Sequence, residues 1–243
     1  MNMSDCMQFI EDQWLSEMFG HNVFRLAVKG STDGKDLNFY RAVGHYLEKK
    51  PVFIYTKIPT NAVLLLHGLE RVGFNLVDTN ILLEKHIIND NFVSGSTIIR
   101  FARLEDKEEV GRLAHHNFVY SRFHLDPQID IGTANTVKAN WAMNYFSGKR
   151  GDAMVVSYIG GKLSGFLQLL FSERALIIDL IAVDKNNRRK SIASDMINFA
   201  TNNLDDFEYI RVGTQLANVP SLRLYEKLGF YIVDAAYVFH YHS

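Results

Sequence analysis

The chain has 243 residues, enough for one large domain or two smaller ones at about 150 residues each, and its 26 basic and 27 acidic side chains leave a formal charge of −1, too little field to draw in nucleic acid. Hydrophobic residues make up 47%, so a sizeable core is available, while the single cysteine, Cys6, excludes an intrachain disulfide and a cysteine-rich metal site and suits a reducing compartment. No apolar run approaches the roughly 18 residues of a membrane helix, and the acidic start (Asp5, Glu11, Asp12, Glu17) does not read as a signal peptide, so a cytoplasmic protein with neither membrane nor nucleic-acid partner is expected.

In chain order, 23–28 reads as a strand and 36–48 as a helix, with Leu37, Tyr40, Val43 and Leu47 at helical spacing. A short strand over 52–56 follows Pro51, then a helix that Thr60 caps and Gly73 stops, then a strand over 74–83. The polar stretch 90–96 marks a boundary, giving a small N-terminal α/β domain, 1–95, and a second domain, 96–243. There the expected elements are a strand over 98–102, a helix over 106–119, an irregular stretch to 133 and a helix over 134–146. Strands over 153–159, 163–170 and 175–183 follow, the first two joined by the hairpin signal Gly160-Gly161. A helix from Ser191, a strand over 209–214, a helix over 220–227 and a strand over 230–241 complete the pattern. The segment 69–74 echoes 224–230, each a helix, a glycine stop and a strand opened by phenylalanine; helix–glycine–strand joints are common, so the echo is either a repeated plan or coincidence. Phe166, Phe171, Phe207 and Phe230 read as core.

The chemistry concentrates after the strand that ends at Val183. Asp184-Lys185-Asn186-Asn187-Arg188-Arg189-Lys190-Ser191-Ile192-Ala193 leads directly into an amphipathic helix. First-turn N–H groups have no intrahelical acceptor, and the helix dipole adds positive charge at the same place, so such a turn suits a phosphate or pyrophosphate. Lys185, Arg188, Arg189 and Lys190 add formal charge; a solvated basic turn would look the same.

Arg188-x-x-Ser191-x-Ala193, following Ile181-x-Val183, resembles the Gln/Arg-x-x-Gly-x-Gly/Ala signature of the GNAT N-acetyltransferase superfamily, with Ser191 where glycine is usual. Asn218-x-x-Ser221-x-x-x-Tyr225, closing on Leu228-Gly229-Phe230, resembles the later motif of the same superfamily. The resemblance implies a mixed, mostly antiparallel twisted sheet flanked by helices, an α/β fold of the α+β kind, over 96–243. It implies acetyl-CoA as co-substrate, contacted by Ile181, Ala182, Val183, Arg188, Arg189, Lys190, Ser191, Ile192, Ala193, Ser194, Asn218, Ser221 and Tyr225. It further implies the N–H of Ile181 as the oxyanion donor and Tyr225 as the acid that protonates the leaving thiolate.

An amine attacks a thioester directly, so no protein nucleophile is required, but the amine must first lose its proton. Asp179, flanked by Ile177, Ile178, Leu180 and Ile181, either binds or deprotonates that amine or is satisfied by a neighbouring hydrogen-bond network.

Shorter pieces resemble one subfamily, the TDP-fucosamine acetyltransferases: Phe19-Gly20, Ser121-Arg122-Phe123-His124 with Asp126-Pro127, Ala139 to Trp141, Thr214-Gln215 before Asn218, and Ala235-Ala236-Tyr237. That similarity implies a nucleotide-sugar acceptor such as dTDP-4-amino-4,6-dideoxygalactose, contacted by Tyr120, Ser121, Arg122, Phe123, His124, Asp126, Trp141 and Gln215. Arg122 suits a phosphate, His124 and Asp126 suit hydroxyls, and Phe123 suits a ring face. Equally, Arg122 suits a surface carboxylate, Phe123 the core and His124 a helix end. The alternatives are a protein, polyamine or amino-acid acceptor, or a non-catalytic acyl-CoA-binding module. The last strand could pair across a homodimer. His115 and His116 diverge on a helix, and His240 and His242 share a strand face with no carboxylate nearby in sequence, so no metal site is expected.

Overall fold

In the computed structural model, residues 7–28, 43–87 and 97–243 are described, and their strands form one ten-stranded sheet. The strands are β1 (Met7–Glu11), β2 (Asn22–Val28), β3 (Val52–Pro59), β4 (Asn75–His86), β5 (Ile98–Phe101), β6 (Ala153–Ile159), β7 (Lys162–Ser172), β8 (Ala175–Val183), β9 (Tyr209–Gln215) and β10 (Tyr231–His242). Their spatial order is β1-β2-β3-β10-β4-β9-β8-β7-β6-β5, with only β2–β3 and β8–β9 parallel. The helices are α1 (Gln13–Phe19), α2 (Val63–Arg71), α3 (Lys107–Asn117), α4 (Arg122–Leu125), α5 (Ile131–Met143), α6 (Ile192–Asn203) and α7 (Val219–Lys227).

The expected mixed, mostly antiparallel sheet is present, with several local corrections. The first strand and helix were not expected, being short segments without a clear period. Ala62 rather than Thr60 precedes α2, and the stretch to 133 holds α4 and the head of α5, where Asp130 accepts from the Thr133 N–H. Phe171 is exposed rather than core. Residues 43–47 are helical, whereas the rest of the helix expected over 36–48 and the boundary expected over 90–96 lie outside the described residues. The last strand has no free edge for a second copy, because β3 and β4 pair with β10 on its two sides.

The echo extends into the strand register. A shift of 156 positions carries Gly73 to Gly229, both with left-handed backbone, and the pair Asn75–His240 to Tyr231–Glu84. The same shift carries Pro59, opposite Ala236, to Gln215, opposite Asn80. The units β2–β3–α2–β4 and β8–β9–α7–β10 therefore follow one plan about an axis between β4 and β10, and each lends its last strand to the other.

The two faces of the sheet bury different helices. On one face α6 inserts Ile192, Met196, Ile197 and Ala200 against Leu167, Ile178 and Val212, with Tyr225 and Phe230 joining from α7 and β10. Each large side chain buried there stabilises by about 1.5–3 kcal/mol. Gly165 on β7 makes this approach possible, since a Cβ there would lie 3.0 Å from Met196 Cε and 3.2 Å from Ile192 Cγ2. On the other face two apolar clusters form, one under α3 and α5 around Leu180 and Phe166, the other under α4 and α5 around Phe53, Phe123 and Val137. Between them the sheet is polar.

Candidate active site

The basic turn keeps its shape through its own polar groups. Asp184 Oδ1 accepts from the Asn186 N–H at 2.9 Å, and Asn117 Oδ1, at the end of α3, accepts from the Lys185 N–H at 3.1 Å. Arg188 folds back, donating from Nε to the Val183 carbonyl and from a terminal nitrogen to the Asn117 carbonyl, both at 3.3 Å. Arg188 thus braces the turn, and Asn117, which no local sequence signal marks, completes the brace.

Arg189 (φ 63°) and Ser191 (φ 61°) both adopt left-handed backbone. This explains why glycine suits position 191: for a residue with a Cβ that conformation costs roughly 1–2 kcal/mol. Arg188, Arg189, Lys190 and Ser191 are exposed, and no side chain caps the head of α6. The N–H groups of Ile192, Ala193 and Ser194 therefore begin the helix without intrahelical or capping acceptors, beside a dipole that favours an anion.

Next to this turn the sheet opens. The parallel pairing of β8 with β9 ends at Ile178–Val212, whereas β8 stays bonded to β7 as far as Val183. Asp179 stands at the irregularity in the β7–β8 register. From there Ile181, Ala182 and Val183 border a gap, with backbone groups that β9 does not use. Tyr225 lies on the α6 side, 2% exposed, its ring 5.3 Å from that of Phe230. Burial raises the pKa of its phenol, so it holds its proton at neutral pH. Asn218 accepts from the Ser221 N–H at 3.4 Å as the N-cap of α7 and donates to Thr214 Oγ1 at 3.2 Å, so both residues of that motif set the helix head.

On the opposite face Asp179 is held by three side chains. Its Oδ2 accepts from Trp141 Nε1 (2.9 Å), Arg150 Nε (2.8 Å) and Gln168 Nε2 (3.0 Å), and its Oδ1 from Arg150 at 2.6 Å. A carboxylate held this way positions Trp141, Arg150 and Gln168, as in the network reading, while Oδ1, with a single described donor, keeps a lone pair.

Register places Tyr55 and Lys57 of β3 opposite His240 and Val238, Asp78 and Asn80 of β4 opposite Val238 and Ala236, and Gln215 opposite Asn80. Directly paired residues share a face, so these side chains form a polar floor beneath α4 and α5. The Arg122 guanidinium lies 3.8 Å over the Tyr55 ring and 3.4 Å from His240 Nε2. Lys138 is buried, its ammonium 4.5 Å from the Trp141 ring; desolvation lowers its pKa to about 7 against the pull of Asp179. Lys57 donates to Asn80 Oδ1 at 3.1 Å, and burial pushes the Asp78 carboxyl up to about 6.

The other acceptor candidates are differently employed. Phe123 is 1% exposed and belongs to the core, so it covers no sugar ring. Ser121 lies 2.6 Å from His124 Nδ1, and His124 Nε2 meets Asn135 Oδ1 at 3.0 Å, which ties both to the α4–α5 frame. Tyr120 is half-buried in the turn ahead of α4, and Gln215 is half-buried at the end of β9. Asp126 is buried rather than open to a hydroxyl, its Oδ2 accepting from His240 Nδ1 at 2.6 Å and His242 Nε2 at 2.7 Å. Sequence reasoning missed this cluster, since 114 and 116 residues separate its members. One carboxylate and two imidazoles are potential metal ligands, but both rings sit at hydrogen-bond distance from one oxygen and Arg122 occupies the far side of His240. Burial lowers the pKa of His240 to about 4, keeping the ring neutral beside that guanidinium.

The Acetyltransferase (GNAT) family model matches residues 117–230, which hold the turn, the parted strands and Tyr225. The spore coat polysaccharide biosynthesis protein SpsD of Bacillus subtilis (strain 168) is 31% identical over 137 residues, 56% of this chain and 47% of that protein, so the match spans about half of the curated relative. Two solved structures share the fold. A GCN5-related N-acetyltransferase from Sphaerobacter thermophilus aligns with a TM-score of 0.62 at 11% identity, over 91% of this chain and 72% of that one. A tandem GNAT protein from the clavulanic acid biosynthesis pathway aligns with a TM-score of 0.61 at 10% identity, over 90% and 75%. Residues 117–230, a little under half of this chain, thus carry a GNAT acetyltransferase domain.

Proposed function

We propose that this protein is an acetyl-CoA-dependent N-acetyltransferase acting on the amine of a nucleotide-linked deoxyamino sugar, such as dTDP-4-amino-4,6-dideoxygalactose, by direct transfer in a ternary complex. The observation that carries the reading is the exposed, left-handed turn at the head of α6, beside the point where β8 leaves β9. The first-turn N–H groups of 192–194 grip the pyrophosphate of the coenzyme, and Arg188 keeps the turn in shape. The gap between β8 and β9 leads the thioester from the α6 face toward the polar face, where the acceptor lies under α4 and α5. The amine lone pair forms the C–N bond as the C–S bond breaks, the Ile181 N–H stabilises the oxyanion, and Tyr225 gives its proton to the departing sulfur. The polysaccharide role in the name of SpsD supports a sugar acceptor. Residues 1–95 act with 96–243 as one catalytic unit in the cytoplasm, where the lone Cys6 stays reduced.

Thiol release with acetyl-CoA and TDP-aminosugars in one tube, and with peptides or polyamines in another, tests this. Release with the aminosugar alone is expected. Release with peptides or small amines instead would move the acceptor, and acetyl-CoA binding without release to any acceptor would leave a binding module.

A further inference from the structure

We propose that Lys57, Arg122 and Lys138 form a diphosphate-binding subsite on the polar face of the sheet, assembled from both halves of the chain; this rests on the nucleotide-sugar reading and locates its charged part.

The three cations come from β3, α4 and α5. Among the described residues none of them makes an ion pair with a carboxylate, although Asp179, Asp126, Asp78 and Asp12 lie near them. Asp179 is taken by Arg150, Asp126 by His240 and His242, and Asp12 by the Tyr55 hydroxyl, while Asp78 acts on Lys57 at longer range and offsets only part of the charge. A buried cation without a partner is costly, and such cost persists at places where a ligand supplies the opposite charge. Lys138 is 8% exposed and has no hydrogen-bond acceptor among the described residues. Arg122 rests its plane on Tyr55, whose hydroxyl donates to Asp12, and lies 3.4 Å from the neutral His240 ring; the Asp12 charge reaches it through Tyr55 without forming an ion pair, so part of its five-donor fork remains for a ligand. Lys57 reaches solvent at the edge of the polar floor and donates to Asn80 Oδ1 at 3.1 Å, which leaves two of its three N–H donors for a ligand.

The three are near enough that the charge of Arg122 depresses the pKa of both lysines, and Lys57 adds to the effect on Lys138. A dianion relieves that mutual repulsion, and phosphate oxygens match the planar donors of Arg122 and the point charges of the lysines. The charged and titratable groups around Lys138 are Asp179, Arg122, Arg150 and Lys57, together with His124 of α4. With its pKa near 7, Lys138 is partly neutral in the empty cleft and takes up a proton when an anion arrives.

The test is calorimetric titration of inorganic pyrophosphate and of dTDP into the full chain saturated with coenzyme A, which masks the turn at the head of α6. Binding of both is expected, weakened tenfold or more by Lys57→Gln and by Lys138→Gln, with coenzyme A affinity unchanged. At pH 8 the binding heat should vary with the ionisation enthalpy of the buffer, and Lys138→Gln should remove that variation. Binding of dTDP without pyrophosphate would assign recognition to the base and sugar and overturn the subsite, as would binding indifferent to both substitutions. The readings fail separately. A chain that binds dTDP through these residues but acetylates no aminosugar keeps the subsite and loses the function. One that acetylates the aminosugar with unchanged KM in both variants keeps the function and loses the subsite.

Discussion

The two units related by the 156-residue shift share a strand framework but differ in what covers it. Around the β4–β9 end, Glu84 pairs with Arg211 at 2.6 Å and accepts from the Tyr231 hydroxyl at 3.0 Å, a cluster whose carboxylate is buried beneath partners that reach solvent. At the corresponding β10–β3 end, His240, Tyr55 and Asn75 take those positions, and α4 and α5 lie above His240 and Tyr55. Where the floor is open, opposite charges satisfy one another. Where helices roof it, the cations face a cleft and keep their donors. The lesson is that the covering helices, more than the strands, make one half of a repeated sheet chemical.

The largest effect on that comparison is to remove one half. Residues 96–243 produced alone lack β3 and β4, leaving β10 unpaired on both sides and β9 without its β4 neighbour. We expect this fragment to aggregate or remain unfolded, as size-exclusion chromatography and circular dichroism would report; a folded, active fragment would make the first unit an accessory. Next is Tyr225→Phe, which keeps the buried ring and removes the proton. Turnover should fall by about 10²-fold or more with acetyl-CoA affinity unchanged, since general acids contribute on that scale. An unaltered kcat would take Tyr225 out of the mechanism.

A smaller effect probes the roofed floor by pH. His240 is depressed to about 4 from an unfolded value near 6.5, so its neutral form contributes full stability above pH ~6.5 and loses it as pH falls toward 4. The unfolded state binds the extra proton in that window, and the loss amounts to about 3 kcal/mol. Urea midpoints measured from pH 7 to 4 should drop accordingly, and His240→Gln should flatten the profile. Smallest is Ser191→Gly, which relieves a left-handed residue and should stabilise the fold by about 1 kcal/mol, seen as a higher thermal midpoint. No gain would mean that the serine side chain compensates for the strain.

Much of this was legible locally. Helix spacing, the Gly160-Gly161 turn and the basic run before Ser191 are signals carried within a few residues, and they gave the elements that hold the turn and Tyr225 close to their observed bounds. What stayed hidden depends on register. Nothing near Asp126 points to His240, and the joining of Lys57 with Arg122 follows only once β10 is known to lie beside β3. Lys138 in a helix reads as a solvated residue until the neighbours on both sides of α5 are seen. The partition at residue 95 had a local basis in the polar stretch 90–96, yet β4, on its N-terminal side, pairs with β9 and β10.

The exchange of last strands also has a kinetic meaning. During synthesis the first unit emerges long before β10, its central neighbour, has been made, so β3 and β4 wait with backbone donors and acceptors unmet. Closing the sheet then joins segments about 150 or more positions apart, the kind of pairing that slows folding and exposes nascent chains to misassembly. Neither unit can mature ahead of the other, and loss of β10 alone would strip both at once.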